Sequence, residues 1–254
     1  MLKFSWPAFS EEKLMGHLKR SRAPKFWPIK RKGLIWTVKT SPGPHPLRKS
    51  LPLLLLVRDV LKLGDTAREA KSIITQGKIL VDKKPRKDPK FPLGLMDNLE
   101  IPEIKKYSKF VMGTAGLELV DVSPEETLTK LCRINGKTTI KNGLQQLNLH
   151  DGRNIIAEGG QYKVGDSVLL DLSDQTIQNH LKFDEGSPVM IIDGKNKGLR
   201  GSIKKIHPRK TVVEKTKVIV NLGDKEIETL KDYMIVTGVK GENISPSKKR
   251  KIKE

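Results

Sequence analysis

The sequence predicts an α+β protein built from several domains. A Pro-, Lys- and Arg-rich start is followed by two short helical patterns and then by many short alternating segments, which points to a β-rich remainder. Pro and Gly clusters such as Ser41-Pro-Gly-Pro-His-Pro46 mark stiff turns where one unit ends and another begins. Charge is also unevenly spread: the total is +20, with +8 in residues 1–46, +5 in 47–100, −1 in 101–174 and +8 in 175–254. The expected division is a basic extended N-terminal arm (1–46), a module of two helices plus strands (47–95), a β-rich central domain (96–174), a glycine-punctuated β unit (175–240) and a basic tail (241–254).

The arm opens the argument about partners. Between Lys13 and Arg58 lie twelve Lys and Arg residues in 46 positions, with no Asp or Glu. Such a segment repels itself in water, and a polyanion relieves the repulsion while releasing condensed counterions. Trp27 and Trp36 are interleaved with these cations, as on a nucleic-acid surface. The candidate contacts here are Lys19, Arg20, Arg22, Lys25, Lys30, Arg31, Lys32, Arg48 and Lys49. Frequent prolines keep regular structure sparse, apart from a short helix suggested around Glu11–Arg20 by Leu14 and Leu18. The arm is expected to be extended, and mobile until bound.

The next module begins with the apolar stretch Leu51–Leu63, read as a buried helix that Gly64 ends. Asp65 or Thr66 then caps a second helix over Ala67–Thr75, with Ile73 and Ile74 toward the core and Arg68 and Lys71 on the polar face. Lys78–Val81 reads as a strand, Asp82-Lys83-Lys84 as its turn, and Pro85–Lys90 as a basic extended segment.

In the near-neutral middle, Phe110-Val-Met and Leu117-Glu-Leu-Val are strand-like. Ser123-Pro-Glu-Glu126 has the composition of a helix start, and the helix is expected to reach Leu131. Arg133-Ile-Asn-Gly-Lys has the composition of a hairpin, and Ser167–Leu172 alternates as a strand. In the last unit Val189, Ile191 and Ile203 alternate around a turn holding Gly194, Gly198 and Gly201, with Lys195, Lys197 and Arg200 between them. That loop is expected to project beyond its sheet, with the central region as a spacer between it and the first module.

Catalytic and metal chemistry find no motif. Five histidines, His17, His45, His150, His180 and His207, show no zinc spacing, and no nucleophile motif, phosphate-binding loop or dinucleotide fingerprint occurs. The single Cys132 permits no internal disulfide and reads as a core residue. Leu51–Val57 is too short to span a bilayer. No enzyme activity, cofactor, membrane association or homo-oligomer is expected, and a reducing intracellular setting fits.

Three resemblances sharpen this reading. Arg-Glu-Ala early in the second helix, followed by Gln76-Gly-Lys-Ile-Leu-Val-Asp82, resembles the RNA-binding module named after bacterial ribosomal protein four. It implies RNA contacts at Arg68, Lys71, Gln76, Lys78 and Lys84; Arg86 is a further candidate, from the charge of the basic segment that follows. The module commonly has Gly after the Val-Asp pair, where this chain has Lys83, a poor residue for positive φ. Pro188–Ile203 is similar to the KOW motif of SH3-like β-barrels, which implies phosphate-facing cations at Lys195, Lys197 and Arg200. Finally, His17-Leu-Lys-Arg, Ala23-Pro-Lys-Phe-Trp27, Ser41–His45, Arg48-Lys-Ser-Leu-Pro-Leu, Phe91–Asp97 and Leu147–Asn154 resemble, in order, small-subunit ribosomal protein four of the archaeal and eukaryotic type. The resemblance covers roughly residues 14–240 and favours the archaeal form. It implies a structural constituent of the cytoplasmic small ribosomal subunit, with small-subunit rRNA and neighbouring ribosomal proteins as partners. A non-ribosomal RNA or transcription factor using KOW is disfavoured by the arm and the first module, and a pseudouridine synthase or aminoacyl-tRNA synthetase using the same RNA module by the want of a catalytic motif.

Overall fold

The computed structural model describes residues 17–140, 143–158, 160–209, 211, 214–223 and 225–238. Residues 1–16, with most of the Glu11–Arg20 helix, and the basic tail 241–254 lie outside the described residues. Where that helix would end, the chain instead forms strand β1 (Leu18–Lys19) and a 3-10 turn at Arg20–Arg22.

The described arm is poor in regular structure, as its prolines require, but it is not loose. β1 pairs with β2 (Trp36–Thr37). Ala23 and Trp27 are buried in the core of the following module, and the Trp27 indole donates to the Ser50 carbonyl at 2.8 Å. The arm is thus packed onto the module through its apolar residues rather than simply extended beside it. Two arginines relieve the crowding of charge by donating to backbone carbonyls within the arm, and the apolar residues between the cations do the anchoring.

Strand β3 (Leu51–Pro52) leads into helix α1 (Leu53–Leu55), which continues as a π-helical turn over Leu56–Val60. Leu53–Val57 are all buried, so this run has no polar face. Helix α2 (Ala67–Thr75) follows within its expected bounds. Thr66 Oγ1 accepts from the Glu69 backbone N–H while the Glu69 carboxylate reaches back, a complete capping box. Ala70 and Ile74, four apart, are buried; Ile73 is half-buried.

Strands β4 (Leu80–Val81) and β5 (Lys84–Pro85) are joined by Asp82 and Lys83, both at positive φ, 51° and 63°. The two-residue turn therefore forms without the glycine. Lys83 offsets the strain because its ammonium bridges the Glu100 carboxylate at 3.0 Å and the Thr127 hydroxyl at 3.1 Å. Strand β6 (Pro92–Leu93) pairs with β3. Strands β7 (Asn98–Ile101), β8 (Lys106–Met112) and β9 (Leu117–Asp121) complete an antiparallel sheet in the order β5-β4-β7-β8-β9. The expected boundary at residue 95 thus falls inside one packed unit, since Leu99 and Phe110 share its core with Leu53–Val57.

The central sheet has the order β12-β11-β10-β13-β14, from β10 (Thr129–Thr139), β11 (Gln145–Leu149), β12 (Asn154–Ala157), β13 (Ser167–Asp171) and β14 (Ile177–Leu181). Two expectations fail here. The Ser123 hydroxyl does accept from the Glu126 N–H, but only a turn follows, not a helix to Leu131. Arg133–Lys137 is not a hairpin but the middle of β10, with a register shift between Ile134 and Gly136. Both errors have one cause: β10 is the central strand, pairing on one side with β13 and on the other with β11, and tertiary pairing overrides local composition. The boundary expected at residue 174 also falls between paired strands β13 and β14.

The last sheet has the order β18-β17-β16-β15-β19, from β15 (Pro188–Ile191), β16 (Arg200–His207), β17 (Lys217–Asn221), β18 (Glu226–Leu230) and β19 (Met234–Val236). Val189, Ile191, Ile203, Val218 and Val220 fill its core, together with Leu95 from the β6–β7 turn, Val111 of β8 and Leu181 of β14.

Candidate nucleic-acid interface

The arm presents Lys19, Arg22, Lys25, Lys30, Lys32 and Arg48 as exposed side chains, none of which meets a described carboxylate. Arg20 and Arg31 differ. Arg20 is buried, and its guanidinium donates to the carbonyls of Trp36 and Lys30 at 3.2 and 2.8 Å. Arg31 donates to the carbonyls of Arg20, Ala23 and Pro24. These two hold the arm's shape, a role that charge counting alone does not distinguish from phosphate contact. Lys49 pairs with Asp193 of the last unit at 2.9 Å, and both remain half-exposed.

On the module, Arg68 and Lys71 lie on the exposed face of α2, and Gln76, just past its end, is exposed too. Lys78 pairs with Glu103 at 3.1 Å on the surface, a contact worth little in water. Lys84 is exposed, and the Arg86 guanidinium stacks on the Phe91 ring at 4.4 Å. Lys84, Arg86 and Arg153 share the rim of a cleft of about 370 Å³ between the module and the central sheet.

The glycine loop does not project freely. Lys197 is half-buried and donates to the Ala115 carbonyl at 3.2 Å, in the turn between β8 and β9. Gly198 has φ +83°, and a Cβ there would run into the backbone of Gly113 and Thr114. With the Lys49–Asp193 pair, this seats the loop directly on the first module, so the central region is not a spacer between two separate surfaces. Lys195 and Arg200 remain exposed.

A buried charged cluster that sequence reasoning missed lies beneath. Lys130, on β10, is wholly buried, and its ammonium contacts Asp82 at 2.7 Å, Asp97 at 2.6 Å and Asp151 at 3.2 Å. Arg153 joins Asp82 and Asp151, and His45 donates to Asp97. Burial alone would raise the Asp97 carboxyl; Lys130 and His45 outweigh it and hold it well below the usual carboxylate range. Asp151 is lowered too, with burial opposed first by Lys130. Burial disfavours the Lys130 charge, yet Asp97 and Asp82 raise its pKa well above normal. Gly94 approaches the His45 ring where a Cβ would collide with it, so this close packing requires glycine.

Cys132, His150 and Asp151 bring their donor atoms within 4.8 Å of one another, as metal ligands do. Their polar atoms already have protein partners. His150 accepts from the Arg133 N–H at Nδ1 and donates from Nε2 to the Leu95 carbonyl. Burial, and then Lys130, push its pKa down to about 4, so the ring is neutral. Burial pushes the Cys132 thiol well up, and Sγ faces Asp151 at 3.6 Å. A cation here would have to displace both Lys130 and Arg153. The cluster is a polar staple between sheets.

Comparison with known proteins settles the family. A model described as Ribosomal family S4e matches residues 106–177, the RS4NT (NUC023) domain matches 16–48, and the S4 domain matches 55–99. A small ribosomal subunit protein eS4 from Methanothermobacter thermautotrophicus is 44% identical over 223 residues, covering 87% of this chain and 92% of that protein. The chain belongs to the eS4 family. A second eS4, from Korarchaeum cryptofilum, is 46% identical over 191 residues, covering 75% of this chain and 81% of its own length. The crystal structure of the 30S ribosomal protein S4e from Thermoplasma acidophilum superposes with a TM-score of 0.67 at 29% identity, covering 78% of this chain and 99% of that one. Membership of eS4 accounts for the mixed α+β fold and for the S4 domain whose polar helix face carries Arg68 and Lys71. No helix among the described residues is long and apolar enough to cross a membrane.

Proposed function

We infer that this chain is a structural constituent of the small ribosomal subunit, binds small-subunit rRNA and supports translation without catalysing a reaction. Its likeness to eS4 proteins along most of its length carries this reading. The surface supports it: lysines and arginines are exposed within residues 19–48 and on α2, and Lys84 and Arg86 line a cleft of the module. RNA contact is assigned to Lys19, Arg22, Lys25, Lys30, Lys32, Arg48, Arg68, Lys71, Gln76, Lys78, Lys84 and Arg86, with Lys195 and Arg200 on the neighbouring loop. The finer architecture belongs to the same proposal: a KOW-type SH3-like barrel built on β15–β19, docked onto an S4-type module. Neighbouring ribosomal proteins and a cytoplasmic ribosome complete the setting. Sedimentation of the tagged chain through a high-salt gradient tests it. Migration with small subunits is expected, and migration as free protein would overturn the assignment.

A further inference from the structure

The two described tryptophans have opposite fates. Trp27 is 3% exposed and its indole N–H is satisfied in the core. Trp36 is 51% exposed, and Leu34 and Ile35 beside it are 66% and 65% exposed. Solvent exposure of three consecutive large apolar residues is unfavourable, so their retention points to a contact.

The platform is also fixed in place. Trp36 pairs with Lys19 in the β1–β2 ladder, and its carbonyl accepts from the buried Arg20 guanidinium. The ring lies 5.5 Å from the His17 ring, and the Lys19 ammonium sits 5.9 Å from its centroid. Lys30 and Lys32 are exposed on the same short arm.

We propose that Trp36 is a stacking platform for an unpaired RNA base, with Lys19, Lys30 and Lys32 taking the flanking phosphates. The proposal rests on the RNA-binding reading and deepens it by naming the form of RNA this part of the surface takes. Aromatic faces accept any base, whereas a paired base has its faces covered by neighbours. Charge decides against a protein pocket: one that received Trp36 would have to accommodate several lysines together with an apolar ring. A single strand supplies base and phosphate at adjacent positions.

The test uses the full chain with two probes, a twelve-nucleotide oligoadenylate and a blunt RNA duplex of equal length, alongside intact small-subunit rRNA. Trp36→Leu keeps the apolar bulk but removes the π face. It should weaken oligoadenylate binding by about 5- to 150-fold, the range of one base–aromatic stack, and leave duplex affinity unchanged. Trp36→Tyr should retain most of the single-strand affinity. An unchanged urea midpoint would show that each variant is folded. Equal losses on both probes, no loss on the single strand, or failure of the tyrosine variant would each overturn the proposal. So would normal RNA binding by Trp36→Leu combined with failure to enter subunits, which would seat Trp36 in a protein. If the unmodified chain binds none of the three RNAs, the RNA-binding reading itself falls and takes the platform with it.

Discussion

Lys130 and Asp82, 48 residues apart in sequence, meet at 2.7 Å inside the protein, and the same Asp82 oxygen also accepts from Arg153 at 2.7 Å. Asp82 sits in the β4–β5 turn, whereas Lys130 lies on β10 and Arg153 in the β11–β12 turn of the central sheet. The contact therefore locks the module to the centre. Arg133 extends the chain of contacts by donating to the Asp232 carbonyl of the last unit at 3.1 Å, and Ser167 Oγ accepts from the Val236 N–H. The relative placement of the basic patches is fixed from below by these side chains.

Lys130→Met should be strongly destabilising. It leaves Asp82, Asp97 and Asp151 buried beside one another with Arg153 and His45 as the remaining partners. Removing one member of a buried ion network costs roughly 3–5 kcal/mol. Urea denaturation checks this, and a loss below about 1 kcal/mol would mean the node contributes little to cohesion.

Stability should fall with acid in two stages. The His150 pKa drops from 6.5 to about 4 on folding, so between those values the unfolded chain binds more protons. Stability is then complete above about pH 6.5 and is lost as pH falls toward 4, by no more than roughly 3 kcal/mol. The depressed Asp97 and Asp151 contribute above their unfolded value of 3.8 and lose that contribution below it. His150→Gln can still donate to the Leu95 carbonyl but cannot titrate. Its urea midpoints should be flatter across the first stage only.

What the sequence made legible were features encoded locally. Helix α2 was readable because its cap, Thr66, its Glu69 and its Ile74 phase all lie within nine residues. The exposed cations followed from charge counting, and Cys132 was rightly placed in the core. The node was not readable, because Lys130, Asp82, Asp97 and Asp151 are separated by tens of residues and look like surface charges singly. Burial of Lys130 also depends on β10 being a central strand, and the helix-start composition at Ser123 concealed that strand. Arg20 and Arg31 share the composition of their neighbours and differ only in the carbonyls they meet.

The salt dependence of rRNA binding should be steep, with a log–log slope of about −0.7 to −0.9 for each phosphate contact. Lys30→Ala and Lys32→Ala should each flatten it by about that amount. Arg31→Ala should act differently, because its guanidinium serves three arm carbonyls. It should lower the melting temperature and reduce the dispersion of the Trp27 indole signal in RNA-free protein. Equal behaviour of all three variants would remove the distinction between contact and clamp.

On α2 the two faces should separate cleanly. Ile74→Ala should destabilise by about 2–5 kcal/mol, since the side chain is fully buried, and Ile73→Ala by less. Arg68→Ala and Lys71→Ala, both exposed, should leave the urea midpoint within about 0.5 kcal/mol while weakening rRNA binding. A destabilised Arg68→Ala with unchanged RNA affinity would invert the assignment.

Gly198→Ala tests whether the last loop is a docking element. The position has φ +83°, and a methyl group would meet the backbone of Gly113 and Thr114, which cannot move aside as a side chain can. The Gly198 N–H also bonds the Ile191 carbonyl at 2.7 Å, so a shift would pull on the start of the loop. The substitution should therefore separate the loop from the β8–β9 turn, break the Lys197–Ala115 contact and speed amide exchange at both sites. Gly194→Ala is the control. It too has positive φ, but a Cβ there only approaches the Tyr233 ring at ordinary contact distance, so it shares the backbone strain without the collision. Faster exchange at residues 113–116 in Gly198→Ala and not in Gly194→Ala would establish the loop as a clasp on the first module. Equal exchange in both would reduce Gly198 to a turn residue.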